Sequence, residues 1–189
     1  MTELSTLSKT WLEAAKQSSD HINIEQLAHA CAFVENLNEK TPTLLSNSVL
    51  EQGLNMATEL LALNADNDTL VTAIAYPAIY YGQVSRETIE KQLGKNIYKL
   101  LVNAKQIEAV QPLLDTASTK KIDNLRKMIL AIVDDVRIVL IKLAECLVIL
   151  KYLRQHDAPE RKAIAQQTMD IYAPLANRLG IGQFKWQLE

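Results

Sequence analysis

Apolar residues recur along almost the whole chain at the three- and four-residue spacing of an α-helix, and no segment alternates like a β-strand. Residues that break helices are scarce, because the 189 residues include only 5 glycines and 5 prolines. Such a chain has few places for tight turns, and it buries its apolar stripes by packing helix against helix. The pattern therefore predicts an all-α fold.

Capping residues divide this pattern into about ten helices. Short polar side chains stand before the apolar-periodic segments, where they accept hydrogen bonds from free backbone N–H groups. The predicted N-caps are Asn23, Asn47 or Ser48, and Asp66 or Asn67. Asp135 is predicted to cap or kink a long helix, which follows another helix over 122–134, and the capping box 157–160 opens a later one. Gly82 is expected in the left-handed conformation after its helix, and Pro174 is expected to break its helix.

Charge, cysteine usage and hydropathy narrow the class of protein. A net charge of −2 argues against nucleic-acid binding by bulk charge. Cys31 and Cys146 lie far apart in apolar helical surroundings, which is typical of buried thiols in a reducing cytosol. The longest apolar stretch, Val136 to Leu153, is interrupted by charged residues and predicts a core helix rather than a membrane span. We therefore expect a cytoplasmic protein with no membrane partner.

The end of the chain is also informative. It stops in mid-pattern on Trp186 and Leu188, with neither a helix cap nor a polar tail. We expect residues 1–189 to form one domain of a longer protein.

Two motifs carry a resemblance to a known family. One runs from Val136 to Glu145 and includes Ile141-Lys142-Leu143-Ala144, and the other runs from Ile171 to Gln183. They resemble the hydrolase half of the RelA/SpoT family, bacterial enzymes that make and destroy the alarmone (p)ppGpp. The resemblance is strongest over 126–189, weaker over 54–100, and rests only on helix count before residue 46. It implies an HD-type hydrolase-like domain that contains only α-helices.

The resemblance also implies where the metal ligands of such a hydrolase would lie. Family hydrolases hold a metal ion, typically Mn²⁺, with two imidazoles and two carboxylates, and the metal activates water. The corresponding positions in this chain are Gln52, Tyr76, Pro77 and Glu145. One carboxylate is left, and one carboxylate does not hold a divalent cation in competition with water. We therefore expect no cofactor in these 189 residues.

The remaining catalytic positions have lost their polar groups as well. The Glu-Asp pair thought to handle water falls on Tyr80 and Tyr81, and the Asn and Thr that contact the nucleotide fall on Ile149 and Tyr152. Tyr76 and Tyr80 are four residues apart on one helix face, where they can fill the vacated pocket or stack a base.

Pro77 lies within a helical apolar run, and two interpretations of it are open. A proline inside a helix costs about 3 kcal/mol and leaves the Ala73 carbonyl without its usual donor. Alternatively, Pro77 ends the helix early. In both cases the backbone of the former His-Asp pair is altered.

The resemblance is closest to the RelA branch, in which an inactive hydrolase domain precedes a GTP pyrophosphokinase. It implies a pseudo-hydrolase that regulates a synthetase domain in the same chain, with the ribosome and uncharged tRNA as partners of the rest of the protein. Arg137, Lys142 and Arg178 are candidate nucleotide or docking contacts. One alternative is a module that binds ppGpp or GTP as an allosteric signal, with Tyr80 and Tyr81 as contacts. Another is a phosphohydrolase with altered metal ligands.

Overall fold

The structure is a computed structural model, and it describes residues 4–19, 21–37, 48–82, 84–108, 135–155 and 161–188. Within these ranges the chain forms helices joined by short turns, and no strand occurs in them. The prediction of an all-α fold is confirmed. The predicted helix over 122–134 and the capping box at 157–160 lie outside the described residues.

The chain divides into two compact units, Met1–Val102 and Asn103–Glu189. The described helices of the first unit are α1 (Thr6–Ser18), α2 (Ile24–Asn36), α3 (Val49–Leu61), α4 (Asn67–Tyr81) and α5 (Arg86–Gln92). Helix α6 (Lys95–Glu108) begins in the first unit and ends in the second. The described helices of the second unit are α7 (Val136–Gln155), α8 (Arg161–Gln167), a π-helical turn (Thr168–Tyr172), α9 (Ala173–Arg178) and α10 (Gly182–Leu188).

The helices of the first unit begin where the sequence predicts. The side chains of Asn23, Ser48 and Asp66 each accept a hydrogen bond from the backbone N–H three residues later. The prediction for Gly82 is wrong, because its φ of −100° and ψ of 172° are extended. The chain leaves α4 in an extended direction, so no left-handed turn is needed there. Gly94, which follows α5, does adopt a left-handed φ of 96°.

Helix α4 forms the centre of the first unit, since every residue from Thr69 to Ala78 is buried. Helices α2 and α3 both pack against it. The approach of α3 is closest at Gly53, where an added Cβ would overlap the carbonyl oxygen of Ile74. Gly53 thus permits a helix crossing that a side chain would prevent, and it fixes its neighbour Gln52 in the interior.

The long helix α7 packs against α8 and α10 in the second unit. Asp135 begins it, since its carboxylate accepts a hydrogen bond from the Arg137 N–H at 3.0 Å. The predicted break at Pro174 is wrong, because helical structure continues to Arg178. The Ala173 N–H donates to the Thr168 carbonyl, five residues back, in the π-helical turn. Pro174 therefore falls in the first turn of α9, where a missing N–H is tolerated.

No helix in the described ranges is both long enough and apolar enough to cross a membrane.

Candidate functional site

Gln52, which the resemblance assigns to the first ligand position, lies on the buried face of α3. Its side chain is 0% exposed. Neither its Nε2 nor its Oε1 forms a hydrogen bond with any atom that the structure describes. An amide buried in this way lowers the stability of the fold, because it gives up its hydrogen bonds to water without replacing them.

Tyr76 and Pro77 lie in the buried middle of α4. Tyr76 is 2% exposed and is among the largest fully enclosed side chains of the described residues. Pro77 lies inside the helix, which continues for four more residues to Tyr81. The interpretation of Pro77 as a helix end is therefore wrong, and the interior interpretation is confirmed. Because proline has no N–H, Pro77 cannot donate to the carbonyl of Ala73.

The three tyrosines of α4 pack on one another. The rings of Tyr76 and Tyr80 are stacked, with centroids 5.8 Å apart and planes inclined by 20°. Tyr80 and Tyr81 meet edge to face at 4.8 Å and 87°. These geometries are favourable for aromatic pairs. Tyr76 therefore covers one face of the Tyr80 ring, and that face is not available to a base.

Glu145, the carboxylate that the resemblance assigns to the last ligand position, forms an ion pair within α7. Lys142 donates from Nζ to the Glu145 Oε2, three residues further along the same helix face. The two side chains are only 3% and 7% exposed. The positive charge of Lys142 offsets the negative charge of Glu145, so the attraction of this carboxylate for a further cation is weakened.

A buried thiol lies next to this ion pair. Cys146 Sγ is 3.1 Å from the Thr168 hydroxyl, which donates to the Ile164 carbonyl at 2.7 Å. Since that hydroxyl proton is in use, the thiol is the donor to Thr168. Burial raises the pKa of Cys146 to about 12. Burial likewise raises the pKa of Cys31 to about 11. Both cysteines are therefore neutral thiols near pH 7 and are poor nucleophiles.

The other positions on α7 are less enclosed. Ile149 and Tyr152 are half-buried and lie four and seven residues after Glu145, on the same face of the helix. Arg137 donates from Nε to both Asp135 oxygens at 2.9 Å, and this hydrogen bonding lowers the pKa of Asp135. Arg178 ends α9 as an exposed residue. Of the three candidate contact residues, Lys142 is buried, Arg137 is paired with an acid and Arg178 faces solvent.

The positions that the resemblance assigns to the site occur in both units. Gln52, Tyr76, Pro77, Tyr80 and Tyr81 lie in the first unit, and the positions from α7 lie in the second. No group of three or more His, Cys, Asp or Glu side chains in the described ranges could hold a metal ion. The donors that remain therefore do not fit Mn²⁺: an amide and a phenol are poor ligands, and the single carboxylate is engaged by Lys142.

The chain is similar in sequence to a known domain family and to known enzymes. The sequence profile of the HD domain matches residues 30–182. The chain is 35% identical to a GTP pyrophosphokinase of Photobacterium angustum, over 95% of this chain and 24% of that protein. It is 39% identical to a GTP pyrophosphokinase of Escherichia coli K12, over 75% of this chain and 20% of that protein.

A relative named for a different activity is similar as well. The guanosine-3′,5′-bis(diphosphate) 3′-pyrophosphohydrolase of Aquifex aeolicus is 30% identical, over 87% of this chain and 23% of that protein. The chain thus spans 24% or less of the length of each of these relatives. The resemblance inferred from the motifs is confirmed: the chain belongs to the HD domain family, as the HD-domain region of a RelA/SpoT protein.

Proposed function

We propose that this HD domain does not hydrolyse (p)ppGpp and instead regulates a GTP pyrophosphokinase to which it is attached. The observation that carries the proposal is that Glu145 is the one carboxylate left at the four ligand positions, and that it forms a buried ion pair with Lys142. An HD hydrolase needs its carboxylates free to bind a metal ion and activate water. Here the one carboxylate left at those positions is neutralised by a side chain of its own helix.

The first unit supports the same proposal. Gln52 and Tyr76 supply neither an imidazole nor a carboxylate, and both are buried. Pro77 replaces a ligand with a residue that has no polar side chain. The resemblance assigns the water-handling acid pair of the family to Tyr80 and Tyr81, so the two carboxylates of that pair are absent from these positions.

The regulatory part of the proposal rests on the relatives. Proteins named GTP pyrophosphokinase contain a region similar to this chain within a polypeptide roughly four times as long. The synthetase domain of the same chain is the proposed partner, and its product would be (p)ppGpp, made in the cytoplasm. The ribosome and uncharged tRNA would contact the remainder of the protein. A folded helical domain can dock in two arrangements and so change the activity of its neighbour.

Hydrolysis is tested with the purified 189-residue chain. We expect no pyrophosphate release from ppGpp in the presence of Mn²⁺, under conditions in which an active hydrolase of the family turns over. The double variant Tyr76→His/Pro77→Asp should remain inactive, because Gln52, Tyr80 and Ile149 are still unsuited and groups that act as a unit fail together. Turnover that disappears on Glu145→Ala would show that the domain is a hydrolase with altered ligands.

Regulation is tested in the full-length protein by deleting residues 1–189. We expect (p)ppGpp synthesis to change in basal rate or in its response to ppGpp or stalled ribosomes. A truncated enzyme that folds and behaves like the intact one would leave the domain a supporting role only. Calorimetric titration of the 189-residue chain with ppGpp and with GTP tests the nucleotide-binding alternative. Saturable binding that Tyr80→Ala removes would favour that alternative over pocket filling by the tyrosines.

A further inference from the structure

A groove on the second unit has no part in the chemistry described above. Helices α7, α8 and α10, with the π-helical turn, enclose a volume of about 690 Å³. Two large apolar side chains at its border face solvent: Trp186 is 76% exposed and Met169 is 46% exposed. Large side chains of this kind are normally covered, and an exposed apolar cluster with polar borders is typical of a binding surface.

The lining of this groove, which we call the basic groove, combines apolar and cationic groups. Its apolar lining includes Leu150, Leu153 and Leu188, and Lys151 and Arg154 contribute the charge. No acidic side chain is present among the described residues that line it. Arg154 forms no ion pair with any residue in the described ranges. The described lining of the groove therefore carries two cationic side chains and no acidic one, beside an apolar surface.

We propose that the basic groove binds an amphipathic α-helix with acidic residues along one border. Apolar side chains at positions i, i+3 or i+4, and i+7 of that helix would contact the leucines and Trp186, as in other helix-in-groove complexes. Carboxylates beside them would face Lys151 and Arg154. Tryptophan, methionine and arginine are enriched at protein–protein interfaces, which favours a protein segment over a lipid.

Charge complementarity decides the specificity of this surface. A helix with carboxylates at its border is attracted by both cations, whereas a helix with lysines there is repelled. The apolar contacts are the same for the two helices. The inference is independent of the proposed regulatory function, because it rests on residues of α7 that follow Lys142 and Glu145 and requires neither hydrolysis nor its loss.

The test uses two fluorescently labelled helical peptides with the same leucine pattern, one with glutamates and the other with lysines at the border. Fluorescence anisotropy measures their binding to the 189-residue chain. We expect saturable binding of the acidic peptide and at least about tenfold weaker binding of the basic one. A scrambled acidic peptide, which has no apolar face, should not bind. Equal binding of all three peptides, or of none, would overturn the proposal.

A charge-reversal variant gives the sharpest readout, because a merely unfolded protein cannot reproduce it. Lys151→Glu/Arg154→Glu should lose the acidic peptide and gain the basic one. The control Lys162→Glu reverses an exposed cation of α8 that does not line the groove, and it should leave the preference unchanged. If the control shifts the preference as much as the double variant does, general surface charge rather than the groove selects the peptide, and the proposal fails.

Trp186→Ala tests the apolar part of the contact. We expect this variant to bind the acidic peptide about thirtyfold more weakly, because truncation of a tryptophan that anchors an interface commonly costs this much in affinity. Full affinity in this variant would overturn the proposal. Two further outcomes would also overturn it. Binding of oleate or anionic phosphatidylglycerol vesicles without peptide binding would indicate a lipid site. Self-association that Trp186→Ala abolishes would indicate that the groove binds a second copy of the chain.

Discussion

Replacing one member of the buried pair between Lys142 and Glu145 should destabilise the fold far more than replacing both. The two side chains are 3% and 7% exposed, so each single variant leaves one charge in the interior without this ion pair. We expect Lys142→Met and Glu145→Leu each to cost about 3–5 kcal/mol of the free energy of unfolding. The double variant should be neutral within about 1 kcal/mol, or more stable, because it removes both desolvated charges and keeps a similar volume.

Urea unfolding, followed by far-ultraviolet circular dichroism, measures these free energies. The double-mutant cycle should give a coupling energy of about 3 kcal/mol or more. Salt should leave this coupling nearly unchanged, since buried charges are weakly screened. Glu90→Gln is the matched surface control, because Glu90 pairs with the exposed Arg86 at 2.8 Å and its loss should have little effect.

Two results would refute the reasoning. A cost below about 1 kcal/mol for both single variants would mean that water reaches the pair, so that Glu145 is available to other cations. A double variant that loses as much as the two single variants together would mean that the two charges are stabilised independently by other groups.

Four further variants or treatments test the packing around the former site. Gln52→Met should raise the free energy of unfolding by about 1–2 kcal/mol, since it removes a buried amide without hydrogen bonds; a loss in urea unfolding would contradict this. Gly53→Ala should lower it by about 1–3 kcal/mol despite the better helix propensity of alanine, because the Cβ meets the Ile74 carbonyl; a higher melting temperature would be inconsistent with that crossing. Pro77→Ala should raise the melting temperature, because it restores an N–H inside a helix, and an unchanged or lower value would show that the missing N–H does not destabilise α4. At pH 8, Cys146 should resist alkylation by iodoacetamide in the native protein and react in the urea-unfolded chain, because burial raises its pKa to about 12; mass spectrometry of the native protein would disprove this by finding rapid modification.

Local sequence signals predicted where a helix begins whenever a single capping residue determines that position. Asn23, Ser48 and Asp66 cap their helices because a short polar side chain next to free N–H groups needs no tertiary partner. Gly82 and Pro174 were predicted wrongly, because the direction of the chain after α4 and the wider turn before α9 depend on what the helices pack against. Propensity alone does not contain that information.

The burial and contacts of the candidate site residues were harder to predict from the sequence than the helices. The motifs placed its positions on the helices, and the loss of chemical groups at Gln52 and Tyr76 is visible directly. The burial of the Gln52 amide without a hydrogen-bond partner was not predicted, because burial depends on helices distant in sequence. Its neighbour offered a signal, since an isolated glycine such as Gly53 within a helical pattern often marks a close backbone approach. The burial of both Lys142 and Glu145 was not predicted either, because it depends on how the helices of the second unit pack.

The π-helical turn over Thr168–Tyr172 determines the direction, around the helix axis, in which the side chains of α9 point. One residue of an α-helix corresponds to about 100° of rotation, so a turn closed by five-residue hydrogen bonds shifts the following residues around the axis. In the observed phase Leu175 and Ala176 face the core, and Arg178 faces solvent. A relative with one residue fewer here would present a different face of α9, although its sequence on either side could be identical.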